Sequence, residues 1–215
     1  MIRTSLLPAA GRMKSISGLV RQWKLQDNYL ETLGGSPGSP VGAALYFGTK
    51  LGRKALRLPA SVGSYLNMPS YTFGAGPWSI STWYCPENLA GYQHLLSADD
   101  NNAFLFKIAS SGDPNPGKVY LYAGSMIPGG SKFGSAIAIN AWSHIVLTYE
   151  SGVLSIYVNG VRQAQVNVTM NISARTFRIG NGPGTGEYSN GWQSDLRYYG
   201  KALSQAEVQE IYSAG

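Results

Sequence analysis

Asn159-Gly160 joins two short runs with strand character, Ser155–Val158 and Val161–Gln165. Both residue types tolerate positive φ, so the dipeptide supplies the two left-handed positions of a type I′ turn, whose twist matches the flanking strands. A chain that carries such a turn commits this region to antiparallel sheet. Trp142–Tyr149 and Val153–Val158, separated by Glu150-Ser-Gly152, read as further strands. Trp78-Ser-Ile-Ser-Thr-Trp-Tyr-Cys85 places Trp78, Ile80, Thr82 and Tyr84 on one face of another strand.

The same alternation predicts strands at Leu19–Leu25, Ala55–Leu58, Ser64–Met68, Lys118–Ala123, Phe177–Gly180 and Trp192–Tyr198. His94–Ser97 and Ala103–Ile108 flank the polar turn Asp99-Asp-Asn-Asn102 and read as a hairpin, and Asn181–Gly191 is a glycine-rich loop. One helix follows. Ser204 and Glu207 make a capping box, Leu203 and Val208 a hydrophobic staple, and Val208, Ile211 and Tyr212 share a face. With 27 Gly, 11 Pro, 14 Tyr, 5 Trp and only 13% charged residues, the composition suits short strands and tight turns. The expectation is all-β: a two-sheet antiparallel β-sandwich with one short C-terminal helix and an extended N-terminal arm. Residues 1–18 form the basic arm and residues 19–215 the sandwich domain.

Cys85 is the sole cysteine, so no intrachain disulfide forms, which points to folding in a reducing cytoplasm. The N-terminal residues lack the apolar run of about 7–15 residues that a secretion signal carries. No segment is long and apolar enough to predict membrane insertion. Nine of the 17 basic residues fall within residues 1–57 against Asp27 and Glu31, a local net charge of +7. That segregation favours an acidic partner surface. Aromatic residues are not interleaved with these cations as nucleic-acid stacking requires, so no nucleic acid is expected. In the arm, Arg3, Arg12 and Lys14 would steer docking on a partner, while Leu6, Leu7 and Ile16 would gain by burial there.

Several of these segments, in order, resemble the laminin-G-like, concanavalin-A-like lectin-glucanase jelly-roll family. Trp78–Tyr84 is similar to its early core strand, and Trp142–Tyr149 with Leu154–Gly160 to its central hairpin. Phe177–Gly180 and Gly191–Tyr212 are similar to its closing strand and helix, and the resemblance spans residues 19–212. It implies two curved antiparallel sheets in a jelly roll. The fold serves lectins, adhesion modules, glycosidases and virion proteins alike, so function has to be argued from sites.

No strand carries the closely spaced carboxylates that glycoside hydrolysis needs, so no enzyme and no catalytic residues are expected. Relatives of this fold often hold calcium, for which Asp99, Asp100 and Asp195 are the candidate ligands here. Hard cations want six to eight oxygens, several of them charged, and scattered carboxylates fall short. The expectation is therefore no metal and no cofactor. Tyr120 and Tyr122 alternate on one strand, and Tyr188 and Trp192 flank the glycine-rich loop. These four read either as platforms for sugar rings or as core and rim aromatics of a tyrosine-rich sandwich.

A fold of extracellular type without a secretion signal or disulfide is reconciled by a virus particle, whose proteins fold in host cytoplasm and act outside it. The leading expectation is accordingly a bacteriophage virion protein that decorates or cements the capsid surface. Its partners would be capsid or other virion proteins, a second copy of itself, or host-surface glycans. The alternative is a carbohydrate-binding, lectin-like module for tail receptor binding or bacterial glycan adhesion.

Overall fold

The computed structural model describes residues 16–42, 44–61, 63–100, 104–183 and 187–215. Arg3, Leu6, Leu7, Arg12 and Lys14 of the arm lie outside them. The described strands are β1 (Leu19–Trp23), β2 (Ser39–Val41), β3 (Tyr46–Lys50), β4 (Arg53–Pro59), β5 (Tyr65–Phe73), β6 (Trp78–Pro86), β7 (Gln93–Ala98) and β8 (Leu105–Ile108). They continue with β9 (Val119–Ala123), β10 (Ile127–Phe133), β11 (Ser143–Glu150), β12 (Val153–Val158), β13 (Val161–Asn167), β14 (Ile172–Ile179) and β15 (Asn190–Tyr199). Helix α1 (Gln205–Ala214) follows.

The strands form two antiparallel sheets stacked as a jelly-roll sandwich. Sheet A has the order β13-β12-β11-β6-β15-β4-β3, with β1 also paired to β15. Sheet B runs β10-β9-β8-β7-β14-β5-β2. Between them lies one apolar core. Ile80, Tyr84, Leu147, Ile156 and Tyr198 enter it from sheet A, and Leu66, Phe106, Leu121, Phe177 and Ile179 from sheet B.

Strand β6 is buried at every residue because both of its faces are covered. The inner face meets the core. Part of sheet A's outer face lies under α1, where Val208 and Ile211 pack with Val146, Tyr157, Tyr199 and Leu203. Ile16 and Leu19 join this second cluster. Both halves of the expected capping box are present at Ser204 and Glu207. The Asn159-Gly160 turn has φ of 51° and 77°, as a type I′ turn requires. A Cβ on Gly160 would meet Tyr212 Cδ1 at 3.0 Å, so the helix rests on this turn.

Strand β15 changes partner along its length. Residues Asn190–Gln193 pair with β4, whereas Leu196–Tyr199 pair with β1. At the break Asp195 has φ 55° and the register against β6 shifts between Ser194 and Arg197. Asp195 Oδ1 accepts from Gln22 Nε2 at 2.7 Å and from Arg197 Nε at 2.9 Å. The carboxylate therefore ties β1 to the bulge in β15.

Strands β2, β3 and β10 were not among the expected ones. Tyr-Phe-Gly-Thr-Lys of β3 shows little alternation, and it is an edge strand whose Gly48 makes room for Trp192, 3.0 Å from where a Cβ would sit. Strand β5 also runs past Met68 through Pro69 to Phe73.

Candidate functional site

The outer face of sheet B carries a connected set of polar and aromatic side chains. Strand register builds it. His94 of β7 pairs with Lys107 of β8, and Lys107 with Tyr120 of β9. In the adjoining row Asn67, Arg178, Ser97, Leu105 and Tyr122 follow one another across β5, β14, β7, β8 and β9. Side chains two residues apart share a face. Phe106 and Ile108 point into the core, so Leu105 and Lys107 point out, and likewise Tyr120 and Tyr122 lie opposite Val119, Leu121 and Ala123.

Lys107 is only 5% exposed. Its ammonium lies 3.8 Å from the ring centre of Tyr92 and 4.9 Å from that of Tyr120, within cation–π range of both. Glu187 Oε2 accepts from Lys107 Nζ at 2.8 Å and lies 2.8 Å from His94 Nε2. A carboxylate can only accept, which assigns the Nε2 proton to His94. His94 Nδ1 sits 2.7 Å from Ser97 Oγ, whose hydroxyl then donates to it. Burial lowers the His94 pKa, and the charge on Lys107 adds to that, so the ring is neutral at pH 7. Burial alone would raise the Glu187 carboxyl. Hydrogen bonds from His94 and Lys107 outweigh it and hold Glu187 below the usual carboxylate range.

Tyr92 donates its hydroxyl to Asp113 Oδ2 at 2.8 Å. Burial, then this hydrogen bond and the Asp113 charge, push its pKa up to about 12. The rings of Tyr92 and Tyr120 are 5.5 Å apart and inclined at 52°. Tyr92, Tyr120 and Tyr122 all keep part of their surface in solvent. Half-exposed rings held beside fixed donors and acceptors present an apolar ring face together with polar edges.

Of the four aromatics singled out by sequence, Tyr120 and Tyr122 belong to this face. Tyr188 directly follows Glu187 in the loop and is partly exposed, bridged to Asn181. Trp192 lies on the other sheet. It packs outward on sheet A with Ala55, Cys85 and Trp142, is 8% exposed, and donates Nε1–H to Glu87 at 2.7 Å. The structure therefore separates Trp192 from the tyrosines. The candidate calcium ligands are separated too. Asp195 is bonded to Gln22 and Arg197 in sheet A, while Asp100, two residues past β7 of sheet B, lies 3.6 Å from Arg175. Asp99, beside it, donates its backbone N–H to Thr176 O. Among the described residues no three of His, Cys, Asp and Glu gather to hold a metal ion.

Sequence reasoning did not single out Tyr92, His94, Lys107 or Glu187. One signal was available: Lys107 is the only charge in the apolar run Phe104–Ile108, on a strand beside the tyrosine pair. Cys85 is buried, and burial raises its thiol pKa, as suits an inert packing residue.

A sequence profile described as the concanavalin A-like lectin/glucanases superfamily matches residues 60–209. No curated protein sequence matches the chain. Among solved structures, domain 4 of AbnA, a GH43 extracellular arabinanase from Geobacillus stearothermophilus in complex with arabinotriose, aligns with a TM-score of 0.75 at 18% identity, covering 90% of this chain and 98% of that one. The receptor binding domain of botulinum neurotoxin type G aligns with a TM-score of 0.68 at 16% identity, covering 92% of this chain but 51% of that one. Trypanosoma rangeli sialidase, in complex with the inhibitor DANA, aligns at 0.66 and 20% identity over 98% of this chain and 35% of its own. The chain thus spans about half of the toxin domain and about a third of the sialidase. At such identities the likeness establishes the fold, whereas the profile, matching well over half the sequence, establishes descent: the chain belongs to the concanavalin A-like lectin/glucanases superfamily.

Proposed function

We propose that the chain is a carbohydrate-binding module whose site is the outer face of sheet B. The observation that carries this reading is the set of partly exposed tyrosines, Tyr92 and Tyr120 against the Lys107–Glu187–His94 network and Tyr122 two residues along β9. Tyrosine rings offer stacking area to the apolar faces of sugars, and the bonded network offers fixed donors and acceptors to hydroxyls. The relatives support the same reading, since the arabinanase domain was solved with arabinotriose and the toxin domain is described as receptor binding. Fold and relatives give no support to a place on a virion or to capsid partners. Carbohydrate binding, the alternative on sequence, is therefore the preferred reading.

The reading is one of binding without turnover. Glu187 is held ionised by His94 and Lys107, which is the wrong state for a general acid that must protonate a glycosidic oxygen. A glycan array followed by calorimetry on the hits tests the proposal. The expected result is saturable binding of at least one oligosaccharide, weakened about tenfold or more in Tyr120→Ala and Tyr122→Ala, with no product released. Binding left untouched by both substitutions would move the site elsewhere.

A further inference from the structure

Arg178 stands apart from the other charged groups of the sheet B face. Glu187 is shared by Lys107 and His94. Asp113 accepts from Tyr92, and Asp100 pairs with Arg175. Arg178 forms no ion pair with a carboxylate among the described residues. Its guanidinium instead lies over the Tyr65 ring, 4.7 Å from the centroid, and its buried Nε has no hydrogen-bond partner. A guanidinium resting on a ring still carries terminal N–H donors, the edge that grips a carboxylate or sulfate with two parallel hydrogen bonds.

Its position matters as much as its charge. Arg178 pairs with Ser97, whose hydroxyl bonds His94, and the same row continues through Leu105 to Tyr122. Three strand spacings from β14 to β9 make about 14 Å, room for more than one sugar ring between the guanidinium and the tyrosines. We propose that the ligand of this face is an acidic oligosaccharide, with a sugar carboxylate held by Arg178 and neighbouring rings laid on Tyr120 and Tyr122. This inference rests on the carbohydrate-binding reading and adds the charge of the ligand to it. A neutral glycan would leave the cation unpaired, and an anionic one supplies the missing acceptor.

The test measures affinities for galacturonate, glucuronate and mannuronate trisaccharides and for sialyllactose, each beside its carboxyl-reduced counterpart. At least one acidic member should bind about tenfold or more tightly than its reduced form. Arg178→Gln should abolish that preference while leaving the melting temperature and the affinity for the reduced form in place. Arg178→Lys should restore only part of it, because lysine lacks the planar fork. Equal affinity for acidic and reduced sugars, both lost in Tyr122→Ala, would overturn the inference about charge and leave the site standing. A preference that survives Arg178→Gln would also overturn it. Failure of every sugar in the panel to bind would overturn the inference, and the glycan array then decides the reading beneath it.

Discussion

The two outer faces of the sandwich have opposite fates, and each contains one of the two histidines. On sheet A, His144 Nε2 lies 2.8 Å from Ser81 Oγ, and its ring packs against Trp83 and Tyr212 with no carboxylate bonded to it. Helix α1 and its apolar cluster close one part of this face, and Arg53 covers Trp83 at 4.1 Å. Among the described residues no helix lies across the strands of sheet B. His94 is just as buried, yet it is bonded to Glu187 and, through it, linked to Lys107 beneath partly exposed tyrosines. Both rings are neutral at pH 7 for the same reason, desolvation. What separates the two histidines is the partner: a hydroxyl under a lid in one case, an ion pair under an open face in the other.

That contrast can be broken from the closed side first. Val208 is fully buried between α1 and sheet A, so Val208→Asp places an unpaired charge in the second cluster and should lower stability by roughly 4–5 kcal/mol. Chemical denaturation measures it. A loss below about 1 kcal/mol would mean that the helix is a loose appendage.

Acid comes next. Burial, with Arg197 and Arg53 nearby, pushes the His144 pKa down to about 3. An unfolded chain binds this proton below about pH 6.5, whereas the folded one refuses it until about pH 3. The stability is therefore complete above pH 6.5 and declines as the pH falls through that window, by about 3 kcal/mol at pH 4 from this residue alone. His94 acts in the same direction, and Glu187, whose pKa is also lowered, adds a loss below its ordinary range. Melting temperature against pH should show the decline, with a shallower acid limb in His144→Phe. Superimposable limbs would contradict the burial of a neutral ring.

A smaller effect is expected at the turn under the helix. Gly160→Val forces a β-branched residue to positive φ beside Tyr212 and should lower stability by about 1–3 kcal/mol, read as a drop in melting temperature. The smallest effect belongs to the open face. Tyr122→Ala should change stability by under about 1 kcal/mol while weakening sugar binding. Substitutions on sheet A should thus cost stability, and substitutions at the rim of sheet B should cost binding.

Most of the sandwich is legible in the sequence because its signals are local. Asn159-Gly160 declares its turn, Trp78–Cys85 its alternation, and Ser204 with Glu207 the helix start. Edge strands β3 and β10 escape because an edge needs no regular apolar face. The site is harder to read for a different reason. Tyr92, His94, Lys107, Tyr120 and Glu187 come from separate segments, and only strand register places them side by side. Trp192 shows the converse: near Tyr188 in sequence, it lies on the other sheet because β15 turns the chain into sheet A directly after the loop.

The central claim is that the open face of sheet B, and not the face beneath α1, meets the ligand. The most direct measurement is a titration of nitrogen-15-labelled protein with the tightest-binding oligosaccharide, followed by amide chemical shifts. The account predicts saturable shifts centred on Tyr92, His94, Lys107, Tyr120 and Tyr122, extending to Ser97 and Arg178, with the amides of Trp83, His144 and α1 unmoved. Shifts centred instead on Arg53, Trp83 and Trp142, along the groove those residues line on sheet A, would contradict it.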